Sequence, residues 1–185
     1  MDIRIEKTER AIRNAFLELR AAKPLEKITV KELCSLACIN KSTFYSHYED
    51  IYALSQMLES ETITTVIKNI SSQQESPFKD PDVFTRNLYM ALVSNHSLIN
   101  ILFSGTEKSH LGYCLETELK RLIVEKYPQY ETDPEKDIML SFCIQGCFHA
   151  YLNNQKNDLD TLIHVSETIV RKLAPLYIEE RREHE

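Results

Sequence analysis

The sequence has few of the residues and runs that catalytic loops and membrane spans require. Among 185 residues there are three glycines, Gly105, Gly112 and Gly146, which are too scattered to form a phosphate-cradling loop. Neither an H-E-x-x-H nor a G-x-S-x-G motif occurs. No apolar run approaches the ~20 residues of a membrane-spanning helix, and the first ten residues lack the apolar segment of a signal peptide. We therefore expect a cytoplasmic protein that is not an enzyme.

Composition and charge indicate the fold class and a division of the chain. With 3 Gly and 6 Pro in a sequence rich in Leu, Ile, Glu and Lys, we expect an all-α fold of one or two small domains. The net charge of −6 is unevenly distributed, because residues 1–48 hold nine Lys and Arg against six Asp and Glu, whereas the remainder holds 13 against 22. A positively charged N-terminal region followed by a negatively charged remainder is typical of a protein that binds DNA through one end, since attraction to phosphate is local.

Residues 29–48, TVKELCSLACINKSTFYSHY, contain two short helical patterns joined by a turn. Thr29 followed by Glu32 is a capping box, which marks a helix start. Cys38 and Ile39 form the predicted turn. Apolar residues then recur at helical spacing in the first pattern, at Val30, Leu33, Cys34 and Ala37.

The second pattern begins at Asn40, an N-cap residue, and is predicted to continue as a helix to Tyr48. Phe44 and Tyr48, four residues apart, are its core-facing positions. The side chains left outside are rich in hydrogen-bond donors: Lys41, Ser42, Thr43, Tyr45 and His47. Such a helix suits the major groove of DNA, where base edges and phosphates offer acceptors, so the pattern predicts a helix-turn-helix.

At these residues the chain resembles the TetR family of transcriptional regulators. The shared pattern is a long first helix, a second helix that begins at a Thr, a turn, a recognition helix with the sequence KSTFYSHY, and an acidic start to a fourth helix at residues 49–50. The resemblance implies a repressor that binds a palindromic operator in double-stranded DNA as a homodimer. It places DNA binding at Thr29, Asn40, Lys41, Ser42, Thr43, Tyr45, His47 and Tyr48.

Two positions depart from the family pattern. Cys38 stands in the turn where the family usually has glycine, so a residue with a Cβ atom must accept a strained backbone there. Ile51 stands early in the fourth helix, where the family usually has a lysine that contacts a phosphate. The second departure predicts weaker phosphate affinity unless a lysine is introduced at position 51.

The expected organisation is a DNA-binding domain over residues 1–50 and a helical effector-binding and dimerisation domain over residues 51–185. In the second domain, the helix predicted over residues 135–155 is apolar on most of its circumference, with Ser141, Gln145 and His149 as polar exceptions. A helix of this kind is buried on more than one side. Its small-residue stripe is predicted to pair with the helix over residues 159–173 in a four-helix dimer interface: Met139, Cys143, Gly146 and Ala150. The alternative is a central helix of a monomer.

The resemblance also implies an effector pocket after residue 80. The sequence does not identify the ligand, but an apolar pocket with few charges suits a small hydrophobic or aromatic effector. Each candidate is also compatible with ordinary core or surface packing. The candidates are Tyr89, His96, Phe103, His110, Tyr113, Phe142 and His149. Two alternatives stay open: a DNA-binding regulator that recruits a protein partner and has no effector, and a helical enzyme that uses the acidic body.

Five cysteines in a protein expected to be cytoplasmic indicate reduced thiols. Cys34 and Cys38 are four residues apart, as are Cys143 and Cys147. A zinc site usually needs four converging ligands, and neither pair has an evident second half. We therefore expect structural thiols, with no metal and no cofactor. A metal or redox sensor is the alternative.

Overall fold

The computed structural model describes residues 3–71, 80–103 and 107–173, and every regular element in those ranges is helical. This confirms the all-α prediction. The α-helices are α1 Ile3–Ala22, α2 Val30–Leu36, α3 Lys41–Tyr45, α4 Ile51–Ser71, α5 Pro81–Ser94, α6 His96–Leu102, α7 Glu107–Lys126, α8 Pro134–Asn153 and α9 Leu159–Leu173. Short 3₁₀ helices lie at Leu25–Lys27 and Pro128–Tyr130. In these ranges no helix combines the length and the apolar character that crossing a bilayer requires.

The chain forms two compact units. The first unit comprises Met1–Thr62 with Ser97–Glu107, and the second comprises Ile63–His96 with Lys108–Glu185. Helix α4 begins in the first unit and ends in the second. The functional division after residue 50 stays a prediction. Glycine and proline in the sequence also predict helix ends at Gly105 and Pro175, and both residues lie outside the described ranges.

The first unit is built on an apolar stripe of α1. Ile12, Ala15 and Phe16 are buried, as the helical spacing predicts. The same spacing also predicts Ile5 on this apolar face, and there the prediction was wrong, because Ile5 is 46% exposed. Arg20 is buried instead, with Nη2 3.3 Å from the Leu102 carbonyl oxygen to which it donates.

Local capping explains where several helices begin. A carboxylate oxygen of Asp50 accepts a backbone N–H of the first turn of α4 at 2.7 Å, and Asp133 does the same for α8 at 3.3 Å. Asp80 precedes α5, but its side chain makes no capping hydrogen bond. The sequence predicts Asp160 as the residue that opens the last helix. This prediction was wrong, because Asp158 accepts the first-turn N–H of α9 at 2.9 Å.

In the second unit, polar side chains tie α5 to α9 beside the apolar contacts. Two of these contacts are ion pairs and one joins buried hydroxyls. The paired atoms are Tyr89 Oη and Ser166 Oγ at 2.7 Å, Arg86 Nη2 and Glu167 Oε1 at 2.7 Å, and Arg171 Nε and Asp82 Oδ2 at 2.8 Å.

Two of the three polar exceptions on α8, Ser141 and Gln145, have partners on α7. Ser141 Oγ donates to Glu116 at 2.6 Å and accepts from Lys120 Nζ at 2.6 Å. Gln145 Nε2 donates to the other carboxylate oxygen of Glu116 at 2.7 Å. These hydrogen bonds allow polar groups to sit on the half-buried side of a largely apolar helix.

Candidate nucleic-acid interface

The start of α2 is held by a complete capping box. The hydroxyl of Thr29 accepts the backbone N–H of Glu32 at 3.3 Å, and the Glu32 carboxylate accepts the Thr29 N–H at 3.2 Å. Lys23 Nζ donates to the same carboxylate at 2.8 Å. The hydrogen bond from Lys23, followed by those from Thr29, lowers the pKa of Glu32 to about 2. The carboxylate is therefore ionised at neutral pH and fixes the entry to the helix-turn-helix.

The turn between α2 and α3 contains a left-handed residue with a side chain. Cys38 has a φ of 54°, which is the conformation that favours glycine. The turn is closed by a hydrogen bond of 3.0 Å from the Ile39 N–H to the Cys34 carbonyl. The expected strain at Cys38 is thus present, and the thiol itself is exposed.

Asn40 organises the first turn of α3 through one oxygen atom. Its Oδ1 accepts the Thr43 backbone N–H at 2.7 Å, the Ser42 hydroxyl at 2.7 Å and the Thr43 hydroxyl at 2.8 Å. Both hydroxyl protons are therefore directed to Asn40 in the free protein. Their oxygen lone pairs remain to accept hydrogen bonds, and either proton must leave Asn40 before it can be donated to a base.

The outward face of α3 agrees with the predicted one, but the helix is shorter than expected. Lys41 and Ser42 are exposed, Tyr45 is 56% exposed and Phe44 is fully buried. The helix ends at Tyr45 rather than at residue 48, because the following residues close in a turn. The N-terminal turn of α3 is thus the part that offers short polar side chains to a groove.

His47 and Tyr48 lie in the turn after α3 and are half-buried. His47 Nδ1 is 3.6 Å from a carboxylate oxygen of Glu9. Tyr48 interacts with the Arg13 guanidinium, which opposes the rise in the pKa of Tyr48 caused by burial, and its ring centroid lies 5.9 Å from that of Phe44. Both residues are held against α1, so a DNA contact from either would be made by a side chain that is already positioned. Direct contact with DNA stays a prediction for all eight residues.

Arg13, one of the basic residues of the first helix, has an ion-pair partner that the sequence patterns did not predict. Its Nη1 and Nη2 donate to the two carboxylate oxygens of Glu61 on α4, at 2.5 and 2.7 Å. Through this ion pair and its interaction with Tyr48, the Arg13 guanidinium connects α1, the turn after α3 and α4 within the first unit. No local signal could have found this pair, since 48 residues separate its members.

Ile51, the residue at the start of α4 that departs from the family pattern, has a role in the core. Ile51 is 5% exposed and belongs to the core of the first unit, whereas the next residue, Tyr52, is 52% exposed. A lysine introduced at position 51 would have to leave the core to reach a phosphate. Replacing Ile51 with lysine is therefore expected to lower the stability of the fold as well as to add phosphate affinity.

Three of the seven candidate ligand-binding residues are engaged in packing. Tyr89 is fully buried and bonded to Ser166. His96 Nδ1 lies 2.6 Å from the hydroxyl of Tyr151, with the two rings edge to face. Phe103 is fully buried and belongs to the first unit, apart from the other six.

The other four candidates lie on the surface of the second unit. Tyr113 and Phe142 are each 65% exposed, and His110 and His149 are exposed as well. The structure therefore does not gather the seven residues around one interior space. Effector binding by these residues stays a prediction.

A small cavity does occur inside the second unit. Its volume is about 20 Å³, which is about the room one water molecule needs and far below the ~300–1,000 Å³ of sites for drug-sized ligands. None of the seven candidates lines it. The lining residues are Pro81, Phe84, Thr85, Leu88, Met139, Leu140, Cys143, Cys147 and Val170. Across residues 3–71, 80–103 and 107–173, no cluster of three or more His, Cys, Asp or Glu side chains could hold a metal ion.

No protein-family model and no curated protein matches this chain. The structure is similar to that of a TetR-like transcriptional regulator from Rhodococcus sp. RHA1, with a TM-score of 0.64. The match covers 90% of this chain and 96% of the other, at 11% sequence identity. The chain therefore has the fold of TetR-like transcriptional regulators, which confirms the fold expected from the resemblance at its beginning.

Proposed function

We propose that this chain, having the fold of TetR-like transcriptional regulators, binds a palindromic operator in double-stranded DNA as a homodimer and represses transcription. The observation that carries the proposal is the capped and exposed first turn of α3. Asn40 fixes its backbone, while Lys41, Ser42 and Tyr45 are exposed on it. A short helix presented in this way fits the entry of a recognition helix into the major groove.

The side chains of α3 divide by chemistry into two roles. Lys41 and Tyr45 are long enough to reach phosphate oxygens, which offer affinity without sequence information. Ser42 and Thr43 are short and lie on the first turn, so they suit base edges or a thymine methyl group. His47 and Tyr48, held against α1, would add contacts to the phosphate backbone.

An exposed apolar face on α8 and α9 supports assembly as a homodimer. Ile138 and Phe142, four residues apart on α8, are 63% and 65% exposed. Val165 and Ile169, four residues apart on α9, are about half exposed. Large apolar side chains in such rows mark an interaction surface rather than ordinary solvent exposure. Gly146 lies on α8 with open space where a Cβ would be, so a partner helix could approach closely there.

The predicted small-residue stripe needs adjustment for this assembly. Met139 is buried and Cys143 lines the internal cavity, so these two residues face the interior of the second unit. The face proposed to meet the partner is rotated from them and contains Ile138, Phe142 and Gly146. With α9, it would form a four-helix interface between two copies of the chain.

Control of DNA binding is proposed to act through the second unit. A small hydrophobic or aromatic effector would have to enlarge the present cavity, since about 20 Å³ is too little for such a molecule. The same observation favours a second candidate, in which the regulator recruits a protein partner and has no organic effector. Relief of operator binding by a small molecule would support the first, and insensitivity to all tested metabolites would support the second.

The decisive experiment maps the genomic DNA bound by the full chain and then measures affinity for the recovered site and for a scrambled duplex. We expect a palindromic site whose half-sites lie about one helical turn apart or more. The scrambled duplex should bind at least ten times more weakly. Lys41→Ala should weaken binding to both duplexes and reduce the salt dependence of that binding. Equal affinity of the unaltered protein for both duplexes would contradict the proposal, and turnover of a substrate would point to an enzyme.

A further inference from the structure

The cavity in the second unit is lined on one side by sulfur. Met139, Cys143 and Cys147 follow one another at four-residue intervals along α8, and all three line the same space. Residues at this spacing lie on one face of a helix, with Cβ atoms about 5–6 Å apart. Because Met139 and Cys147 are buried and Cys143 is half-buried, the two thiols face the interior rather than bulk solvent.

Two hydroxyl-bearing side chains lie near one of these thiols. Tyr89 and Thr85 both interact with Cys147, and Thr85 lines the same cavity. The Tyr89 hydroxyl oxygen also lies 2.7 Å from the hydroxyl oxygen of Ser166. Hydroxyl groups beside a sulfur can donate to its anionic form, and outer contacts of this kind hold the ligands of metal sites.

From this arrangement we infer that Cys143 and Cys147 form a two-thiolate site for a soft monovalent metal ion, with Cu(I) as its chemical type. The site goes beyond the proposed function and does not depend on DNA binding. Thiolate and thioether sulfur are soft ligands that suit Cu(I), and apart from Thr85 the remaining lining residues are apolar. The cavity admits one atom-sized guest, which excludes an organic ligand of ordinary size but not a single ion.

The geometry fits two-coordinate binding. A linear sulfur–metal–sulfur unit spans roughly 4–5 Å if each metal–thiolate bond is about 2.3 Å long. Two cysteines four residues apart on a helix can supply that separation with small rotations of their side chains. Zinc would be a poor guest, because its structural sites are tetrahedral and require four ligands.

Binding of Cu(I) to the two thiols releases two protons. Cu(I) binds as the two S–H bonds break and two metal–sulfur bonds form, and both protons pass to the solvent without any change of oxidation state. The site changes from neutral to a single negative charge shared by two sulfur atoms.

The second cysteine pair provides a matched comparison. Cys34 and Cys38 are also four residues apart, but α2 ends at Leu36 and Cys38 has a φ of 54°. Cys34 is buried while Cys38 is exposed, so the two side chains do not share one helix face or one cavity. The same spacing thus leads to a predicted site only on α8.

The test measures Cu(I) binding by the reduced full chain in competition with the chromophoric chelator bathocuproine disulfonate. We expect one Cu(I) per chain and two protons released per Cu(I) in weakly buffered solution. The Cys143→Ser variant should bind at least ten times more weakly, and Cys143→Ala with Cys147→Ala should retain no Cu(I). Cys38→Ala and Cys114→Ala should behave like the unaltered protein.

Circular dichroism spectra and sedimentation would show that each variant keeps its fold. Should the double variant fail to fold, the Cys143→Ser comparison still decides, because that side chain is half-buried and the change is small. Loss of Cu(I) to the chelator by the unaltered protein would overturn the inference. It would also be overturned by unchanged binding in Cys143→Ser, or by retention of Zn(II) in preference to Cu(I).

Discussion

Arg13 and Glu61 form a two-pronged ion pair, with both carboxylate oxygens of Glu61 within 2.7 Å of guanidinium nitrogens of Arg13. The pair joins α1 to α4, and Arg13 also interacts with Tyr48 just after α3. Two parallel hydrogen bonds fix direction as well as distance, which a lysine in this position could not do. The placement of α4 against α1 within the first unit therefore depends on this pair.

The first prediction follows from this pair. Because its side chains are partly exposed, Arg13→Lys should lower the free energy of unfolding by no more than about 1 kcal/mol. Operator affinity should fall more than this, since Tyr48 and α4 lose their common partner. Urea unfolding and DNA titration of the same variant would measure the two effects. Arg10→Lys, an exposed change on the same helix, is the control, and equal losses in both variants would argue against the assigned role.

The second prediction separates base reading from phosphate contact on α3. Thr43→Ala should relax preference at one base pair per half-site by roughly 1–3 kcal/mol, because a base contact carries sequence information. Tyr45→Phe should weaken binding to all DNA sequences alike, since the phosphate groups of DNA do not vary with base sequence. Fluorescence anisotropy with duplexes substituted at each position would distinguish the two patterns. Ser46→Ala, next to the end of the helix, is the control for a lost hydroxyl group.

The third prediction concerns assembly and uses two glycines of the second unit. Gly146→Arg should leave the monomer folded, because nothing lies within 4 Å of the added Cβ, but should disrupt a dimer formed through α8. Gly112→Ala should instead destabilise the monomer by roughly 1–3 kcal/mol, since its Cβ would lie 2.9 Å from the buried Phe148 ring. Sedimentation and thermal unfolding would report the two effects. A dimer that survives Gly146→Arg would move the interface elsewhere.

The fourth prediction concerns the start of α4. Ile51→Lys should lower the free energy of unfolding by roughly 1.5–3 kcal/mol, because it removes a buried aliphatic side chain. Tyr52→Lys should change stability by no more than about 0.5 kcal/mol, since that position is half exposed. Denaturant unfolding of both variants provides the comparison. Equal stability of the two would mean that Ile51 does not serve the core.

The fifth prediction concerns pH and the capping box of α2. The folded-state pKa of Glu32 is lowered to about 2 from an ordinary value of 4.5, so the stabilisation from its ionised form is present above about pH 4.5. It is lost as the pH falls towards 2. Glu32→Gln should therefore be most destabilising near neutral pH, and its difference from the unaltered protein should shrink on acidification. A difference that does not vary with pH would mean that the carboxylate charge has no role.

Local signals in the sequence were sufficient for the helix-turn-helix. The capping box of Thr29 and Glu32 and the cap at Asn40 involve residues three positions apart, so the pattern that predicts them is also the structure that forms. The burial of Phe44 follows from the same short range, whereas the strained turn at Cys38 was expected from the resemblance to the family pattern. The misplaced cap of α9 shows the limit, because Asp158 and Asp160 are both acceptable cap residues and the choice depends on how the chain enters the helix.

By itself, the sequence determined that the described part of the chain is helical and that Asn40 caps a short helix after the turn, because helix periodicity and capping act over three or four residues. Only the tertiary structure decided which side of α8 is exposed. That helix is apolar around most of its circumference, so periodicity cannot separate the face with Met139 and Cys143 from the face with Ile138 and Phe142. The Arg13–Glu61 pair and the burial of Ile51 likewise depend on packing between helices, which no local pattern encodes.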